Sequence, residues 1–351
     1  MTQARPRAGL VARADNGGLG VQTFDWYRHM NPDKVLVVDV EHLTGYKNYF
    51  ERYPKAVVAK GFEISEAAID TFLEGLDVVF TVECPYNHYL YQKAREMGVK
   101  TVCQYNWEWL AQLAEPNLPW PDVLLAPSMW HFADMNAKVN NLNLHGLNLR
   151  HEYMHVPIDR ELFPYKKRTT AHKFLHIAGH NFQGAEDRNG TVILLESLPY
   201  IQSDIEIVIR SQGTLPRPYT DHKVTIEVGD VKEPKDLYGD EDILILPRRY
   251  GGLSLQLNEA MSSGMVPLML DIEPNRVLDK KLLIPATTSG QLMIKAPITV
   301  YGCSPQELAN KIDEIANTDI SELSEKSNEY AKERDWEVMK PQYEELLCSL
   351  L

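Results

Sequence analysis

The stretch DILILPRRYGGLSLQLNEAMSSGMVPLMLD (242–271) decides the fold of this chain. Two short apolar runs, 242–247 and 265–271, are typical of buried strands, and a largely apolar helical segment separates them. Gly251 and Gly252 stand in the turn before that helix, where backbone amides point above the carboxyl edge of a parallel sheet. The stretch is therefore either a receptor for a diphosphate ligand or an ordinary strand, turn and helix.

The same alternation of strands and helices runs through most of the chain. We predict strands at 9–14, 34–40, 56–60, 77–83, 99–105, 122–128 and 152–157, with helices near 20–30, 64–74, 87–97 and 128–138. A second series of strands follows at 173–179, 204–211, 223–229, 242–247 and 265–271. Continuous apolar strands alternating with crossover helices indicate parallel sheets covered on both faces. The predicted fold class is α/β, with two doubly wound domains.

A chain of 351 residues is long for one hydrophobic core and suits two domains. The connector VPIDRELFPYKKRTTAH carries prolines and charges, which is typical of a domain boundary, and we place the boundary near residue 165. The predicted domains are 1–165 and 166–335, followed by a last helical segment over 336–351. Ser304, Pro305 and Glu307 predict a helix that starts with a capping box. Pro341 is expected to interrupt or kink the last helix unless it lies in the first turn of that helix.

Composition and charge exclude several classes of protein. No run reaches the roughly 18 to 20 consecutive apolar residues that span a bilayer, and the apolar run near the start is too short for a secretory signal. The four scattered cysteines lack metal-ligand spacing, so we expect reduced thiols and no metal site. The net charge of −13 repels a polyanion, so nucleic-acid binding requires a local basic patch such as 166–168. We expect a soluble, cytoplasmic protein.

Three stretches carry candidate binding residues. In DNGGLGVQTFDWYRHM (15–30), Gly17, Gly18 and Gly20 open a helix, which suits phosphate, although the spacing is not GxGxxG and a plain tight turn explains it equally well. Glu259 follows Gly252 by about two helical turns. A carboxylate at that depth in a largely buried helix favours accepting a ribose hydroxyl over acting as a base, and a solvated glutamate is the alternative.

The third stretch is GHNFQGAEDRNGTVILLESL (179–198), which follows the first strand of the second series. His180, Arg188 and the amides around Gly190 can meet a diphosphate, because arginine binds phosphate through a planar fork. Arg188 can equally be a surface residue paired with Asp187 or Glu186.

Four segments, in the correct order along nearly the whole chain, resemble the retaining GT-B glycosyltransferases of the glycogen-synthase-like group. They are NGGLGVQT, VPIDRELFP with Asp159, Phe163 and Pro164, PRRYGGLSLQLNEAMSSGMVP, and RDWEVMKPQYEELL with Trp336 and Tyr343. The resemblance implies two Rossmann-like domains facing a cleft, with the nucleotide sugar on the second domain and the acceptor on the first. It also implies that the last helix crosses back to the first domain, and that the enzyme needs neither a metal nor a cofactor.

Site residues follow from the resemblance position by position. The expected donor-binding residues are Gly17, Gly18, His180, Arg188, Gly251, Gly252, Leu253, Ser254 and Glu259. Members of the family carry glutamate where this chain has Gly251, and arginine and lysine where it has His180 and Asn189, which leaves Arg188 as the nearest cation. A histidine common near the end of one first-domain strand is replaced by QYNWEW, whose acceptor-side candidates are Tyr105, Asn106, Trp107 and Glu108.

The leading hypothesis is a metal-independent retaining hexosyl- or pentosyltransferase that uses a nucleoside-diphosphate sugar and a hydroxyl acceptor. The altered donor positions leave open a sugar-nucleotide-binding protein with weakened catalysis, or an enzyme of the same architecture with other chemistry, such as an epimerase. The acceptor is a saccharide, a small molecule or a modified base in DNA. Trp107 and Trp109 either stack on that acceptor or pack in the protein.

Overall fold

The computed structural model describes residues 5–61, 64–178, 187–216, 223–229 and 231–351. The chain divides into two compact units, Met1–Pro157 with Trp336–Leu351, and Ile158–Asp335. The division after Pro157 comes earlier in the chain than the boundary near residue 165 that the connector predicts, because Ile158 already pairs with Asp335 in an isolated parallel bridge. Among the described residues, no helix is both long and apolar enough to cross a bilayer.

The first unit is built on a seven-stranded sheet in which every described pairing is parallel. The strands are β1 (Ala8–Arg13), β2 (Lys34–Asp39), β3 (Val57–Lys60), β4 (Val78–Val82), β5 (Lys100–Gln104), β6 (Val123–Ala126) and β7 (Arg150–Tyr153), in the order β3-β2-β1-β4-β5-β6-β7. The helices are α1 (Gly18–Met30), α2 (Glu41–Thr44), α3 (Glu66–Leu73), α4 (Tyr89–Met97) and α5 (Phe132–Leu144). Two apolar clusters cover the sheet, as expected for continuous apolar strands.

The second unit repeats the design with a six-stranded parallel sheet. Its strands are β8 (Lys173–Ile177), β9 (Glu206–Ser211), β10 (Val224–Val228), β11 (Ile243–Leu246), β12 (Val266–Leu270) and β13 (Leu283–Ile284), in the order β10-β9-β8-β11-β12-β13. The doubly wound α/β fold class predicted from the alternating pattern is confirmed.

Helices α6 (Thr191–Ser197), α7 (Leu255–Ser262), α8 (Pro305–Ile315) and α9 (Ser321–Lys332) accompany this sheet. The capping box at the start of α8 is confirmed, because Ser304 Oγ accepts from the amide of Glu307 at 3.1 Å and Glu307 Oε2 accepts from the amide of Ser304 at 2.9 Å. An antiparallel hairpin of β14 (Thr287–Met293) and β15 (Pro297–Gly302) lies between β13 and α8, where the sequence pattern predicts no strands.

The last helix, α10 (Trp336–Cys348), belongs to the first unit. Trp336, Met339 and Tyr343 are buried in the same cluster as β1 and β4, and the Trp336 ring stacks on His29 at 4.6 Å. The expected interruption at Pro341 is wrong, since the helix runs through it. Pro341 lies on the exposed face, where water can satisfy the carbonyl that its missing N–H leaves, while the buried face stays intact.

Candidate functional site

The strand order of each sheet reverses at one place, and open α/β sheets bind ligands at the carboxyl ends of the strands there. In the second unit the reversal lies between β8 and β11, which are neighbours. The loops that leave these two strands contain Arg188 and the Gly251 turn, and they meet directly. The amide of Arg249 donates to the carbonyl of Arg188 at 2.9 Å. The topology therefore brings together two stretches that lie about 60 residues apart in the sequence.

Gly251 has a backbone conformation that disfavours a side chain, and two guanidinium groups lie against it. Its φ of +107° is one that residues with a Cβ rarely adopt. A Cβ at this position would lie 2.0 Å from a guanidinium nitrogen of Arg188 and 2.8 Å from one of Arg248. The glutamate that the resembled family carries here and the two guanidinium groups of this chain would therefore compete for the same space.

Arg188 and Arg248 are held by the same backbone carbonyl. Nε of Arg188 donates to the carbonyl of Tyr250 at 3.3 Å, and Nε of Arg248 donates to it at 3.1 Å. The Arg188 guanidinium also lies 5.2 Å from the centre of the Tyr250 ring, a cation–π distance. One carbonyl therefore holds two guanidinium groups at the same bend of the chain.

Of the two alternative partners predicted for Arg188, Glu186 lies outside the described residues, and the carboxylate of Asp187 serves another purpose. Asp187 is buried and accepts from the amides of Thr191 and Val192, each at 2.9 Å, so it caps α6. This cap occupies helix amides near Gly190 that were candidates for a diphosphate. Asn189 donates to the carbonyl of Ile177 at 3.1 Å and holds the loop on the end of β8. His180 lies outside the described residues.

The Gly251 turn leads directly into α7. Gly252 and Leu253 are half-buried in the turn, and Ser254 is the residue that caps the helix, its Oγ accepting from the amide of Leu257 at 3.3 Å. No acidic residue lies in the first turn of α7, so its positive end is not neutralised from within the helix. Gly252, Leu253 and Ser254 therefore lie with Gly251 in the turn that follows β11.

Glu259 lies on the buried face of α7, with 8% of its surface exposed. The hydroxyl of Tyr238 donates to its Oε2 at 2.6 Å. Burial raises the pKa of Glu259 to about 7, and the Tyr238 hydrogen bond opposes that shift. The Tyr238 ring packs edge-on against Phe163 of the connector at 5.6 Å. Sequence reasoning missed Tyr238, which belongs to no recognisable motif.

In the first unit the glycine turn follows β1, as the sequence predicts. Asp15 is buried, and its Oδ1 accepts from the amide of Gly17 at 2.7 Å. A Cβ on Gly20 would lie 2.0 Å from the carbonyl oxygen of Asp15, so this glycine serves close packing of the helix on the turn. Gly17 is half-buried and Gly18 is exposed, which leaves their backbone accessible at the start of α1.

The four acceptor-side candidates differ in burial. Tyr105 and Glu108 are each 1% exposed, and the hydroxyl of Tyr105 lies 2.9 Å from Nε2 of His151. Burial lowers the pKa of His151 to about 4, so the ring is neutral and accepts from Tyr105. Trp107 is half-buried and stacks on His131 at 4.5 Å. Tyr105 therefore belongs to the core, and Asn106 is the polar candidate that reaches the sheet edge.

Asn106 lies at the same sheet edge as several charged side chains that the sequence analysis missed. Its amide nitrogen donates to Oε1 of Glu83 at 3.0 Å. Glu83 is the residue that directly follows β4. Arg13, at the end of β1, forms an ion pair with Asp15 at 2.6 Å. Burial acts against the charge of Arg13, but Tyr86, Asp15 and Glu83 outweigh it and raise the pKa of Arg13, so the guanidinium stays charged.

Comparison with solved structures supports the fold over nearly the full chain. HepE from Anabaena in complex with UDP gives a TM-score of 0.65 at 12% identity, covering 97% of this chain and 99% of that chain. Sucrose-phosphate synthase from Thermosynechococcus elongatus gives 0.66 at 12% identity over 99% of both chains. The lipopolysaccharide outer core galactosyltransferase WaaB in its apo form gives 0.59 at 13% identity, covering 98% of this chain and 99% of that chain.

At these identities the likeness shows the fold, which is the GT-B fold that the sequence resemblance implies. No protein-family model matches the chain. No curated protein matches it either. In the described residues, no group of three or more His, Cys, Asp or Glu side chains is arranged to hold a metal ion.

Replacing Gly251 by alanine is expected to destabilise the second unit by roughly 1 to 3 kcal/mol, because the φ of +107° is strained for any residue with a Cβ. Urea unfolding measures the change. Gly290→Ala is the matched control, since a Cβ there meets nothing within 4 Å and its φ lies outside the strained range. Equal stability of the two variants would contradict the constraint at Gly251.

Glu259→Gln is expected to remove a pH dependence of stability. The folded pKa of about 7 lies above the ordinary value of 4.5, so the stability that Glu259 contributes is complete below pH 4.5 and is lost as pH rises through 7. The full loss is about 3 kcal/mol. The unfolding free energy of the variant, relative to that of the wild type, should therefore be higher at pH 8 than at pH 5. The same difference between the two proteins at both pH values would contradict a raised pKa of Glu259.

Proposed function

We propose that the chain is a retaining glycosyltransferase that moves a hexose or pentose from a nucleoside diphosphate to a hydroxyl acceptor, without a metal ion. The second unit is the donor domain and the first is the acceptor domain, carrying the last helix. A cytoplasmic location is part of this proposal. The donor-side residues are Arg188, Arg248, the amides of 252–254 and Glu259, with Gly17 and Gly18 approaching the transferred sugar.

One observation carries the proposal, which is the convergence of Arg188 and Arg248 on Gly251 at the strand reversal of the second sheet. A guanidinium binds phosphate oxygens through a planar fork, and the positive end of α7 adds to the same field. Glu259 lies two helical turns further along α7, at a depth that suits a sugar hydroxyl of the nucleoside. Cations, a helix start and a buried carboxylate in this order match a nucleoside diphosphate from phosphate to ribose.

The ligands of structurally similar proteins suggest which nucleotide the donor carries. HepE was solved with UDP and, in a second structure, with UDP-glucose. Since this chain shares their fold, we propose a UDP-sugar as its donor. Oε2 of Glu259 already accepts a hydrogen bond from Tyr238. In the proposed complex the other oxygen, Oε1, accepts a hydrogen bond from a ribose hydroxyl.

In the proposed reaction, the bond between the anomeric carbon and the diphosphate oxygen breaks while the acceptor oxygen bonds to the same face of the sugar. The acceptor proton passes to the departing phosphate, so no protein nucleophile is required. Negative charge grows on the diphosphate as the bond breaks. Arg188 and Arg248 accelerate the reaction to the extent that they bind this charge more tightly in the transition state than in the bound donor.

The structure gives no support to a modified DNA base as the acceptor. Lys167 pairs with Glu325, and Arg168 is buried and donates to the carbonyl of Gly239 at 3.0 Å. Within the basic run at 166–168, one cation is therefore buried and another is paired with a carboxylate, which weakens its attraction for a polyanion.

Arg188→Ala and Glu259→Ala are expected to weaken donor binding, and Arg188→Ala also to slow transfer. UDP-glucose should raise the melting temperature of the wild type, because a ligand at 100 times its Kd stabilises by about 2.7 kcal/mol. The shift should shrink in both variants and persist in the controls Lys167→Ala and Glu325→Ala, which change exposed residues of the same unit. Absence of any shift with UDP and UDP-sugars in the wild type would contradict the proposal.

Binding of UDP-glucose is expected to strengthen between pH 6 and pH 8, because Glu259 ionises near pH 7 and its carboxylate is then a stronger acceptor for the ribose hydroxyl. UDP-glucose suits this measurement because its diphosphate is esterified at both ends and does not titrate in this range. Calorimetry at several pH values should show the trend in the wild type and not in Glu259→Gln. The same slope in both proteins would remove Glu259 from the donor site.

A further inference from the structure

The first sheet also has a strand reversal, which lies between β1 and β4. The pairing of Val11 with Thr81 places Arg13 and Glu83 beside one another, two residues beyond that pair, at the carboxyl edge. The next strand, β5, ends at Gln104 and is followed by Asn106. Arg13, Glu83 and Asn106 therefore lie on three neighbouring strands, at the place where an open α/β sheet binds ligands.

The backbone at this edge is strained. Glu83 has a φ of +67° and Tyr86 has a φ of +60°. Residues other than Asn, Asp and Gly rarely adopt this left-handed backbone conformation. Strained positions cluster at functional sites because the surrounding structure retains them at a cost in stability. Glycine or asparagine would relieve the strain at position 83, so the glutamate side chain itself is the feature to explain.

The side chains of this edge are oriented for binding. Asn106 donates to Oε1 of Glu83 at 3.0 Å and sets the direction of the carboxylate. Asp15, which is buried, holds Arg13 at 2.6 Å, so the guanidinium is fixed on its inner side. Arg13, Glu83 and Asn106 are all partly exposed.

Together these groups offer fixed donors and acceptors of both kinds. The carboxylate accepts, the guanidinium donates, and the amide does both. This combination matches a ligand with several hydroxyl groups, each of which can donate and accept. The carboxylates of Glu83 and Asp15 offset the charge of Arg13, so these side chains lack the excess of positive charge that favours a nucleoside diphosphate.

We propose that Glu83, Arg13 and Asn106 form the acceptor subsite, in which Glu83 accepts a hydrogen bond from a hydroxyl of a saccharide. This assignment rests on the proposed transferase function. Arg13 donates to a neighbouring ligand oxygen, and Asn106 is a positioning residue for the carboxylate. Of the acceptor-side candidates from the sequence, the subsite keeps Asn106 and adds Glu83 and Arg13.

Saccharide binding tests the subsite without knowledge of the natural acceptor. The probes are the methyl α- and β-glycosides of glucose, galactose, mannose and N-acetylglucosamine, measured by saturation-transfer NMR with UDP present. Glu83→Gln keeps an oxygen for Asn106 but removes the charge, and it should raise the Kd of the bound glycoside at least fivefold. The control Glu74→Gln, an exposed carboxylate just after α3, should leave that Kd unchanged.

A second measurement separates ligand binding from a structural role. Glu83→Gly should melt at or above the wild-type temperature, because the strain is relieved. A lower melting temperature would identify Glu83 as a structural anchor and overturn the proposal, as would equal glycoside binding in Glu83→Gln or no binding of any probe by the wild type. Failure of the wild type to bind UDP, measured separately by calorimetry, would instead count against the transferase function.

Discussion

The bend at Gly251 is the constraint on which the candidate donor site depends. The backbone conformation there favours a residue without a Cβ, and the guanidinium groups of Arg188 and Arg248 lie in the adjacent space. Like charges held this close repel, and an anion between them offsets that repulsion. A bend that holds two guanidinium groups in this way suits an anionic ligand.

Two of the four segments that resemble known transferases, the connector and the stretch that contains α7, are packed against one another in the second unit. Phe163 of the connector contacts Tyr238, which in turn donates to Glu259 on α7. Ser262, at the end of α7, donates to the carbonyl of Phe163 at 2.7 Å. The connector thus supports the buried carboxylate, whose raised pKa reflects the cost of its burial.

Much of the fold can be predicted from the sequence because it follows from local rules. Apolar runs between helical segments predict the parallel strands of both units, and the capping box at Ser304 and Glu307 predicts the start of α8. The hairpin of β14 and β15 is not predicted because six of the seven residues of β14 are exposed, so its sequence lacks an apolar run. Pro341 misleads because its effect depends on which face of α10 carries it.

The sequence by itself determined the alternating pattern, the glycine turns and the position of Glu259 on a buried helix face, since each depends on residues a few positions apart. Only the tertiary structure decided which way Arg188 points, that Arg248 joins it, that Tyr238 holds Glu259 and that Glu83 lies beside Arg13. These contacts join residues from different strands and loops. Their distances are set by strand order and register, which bring the ends of parallel strands to one edge whatever their separation along the chain.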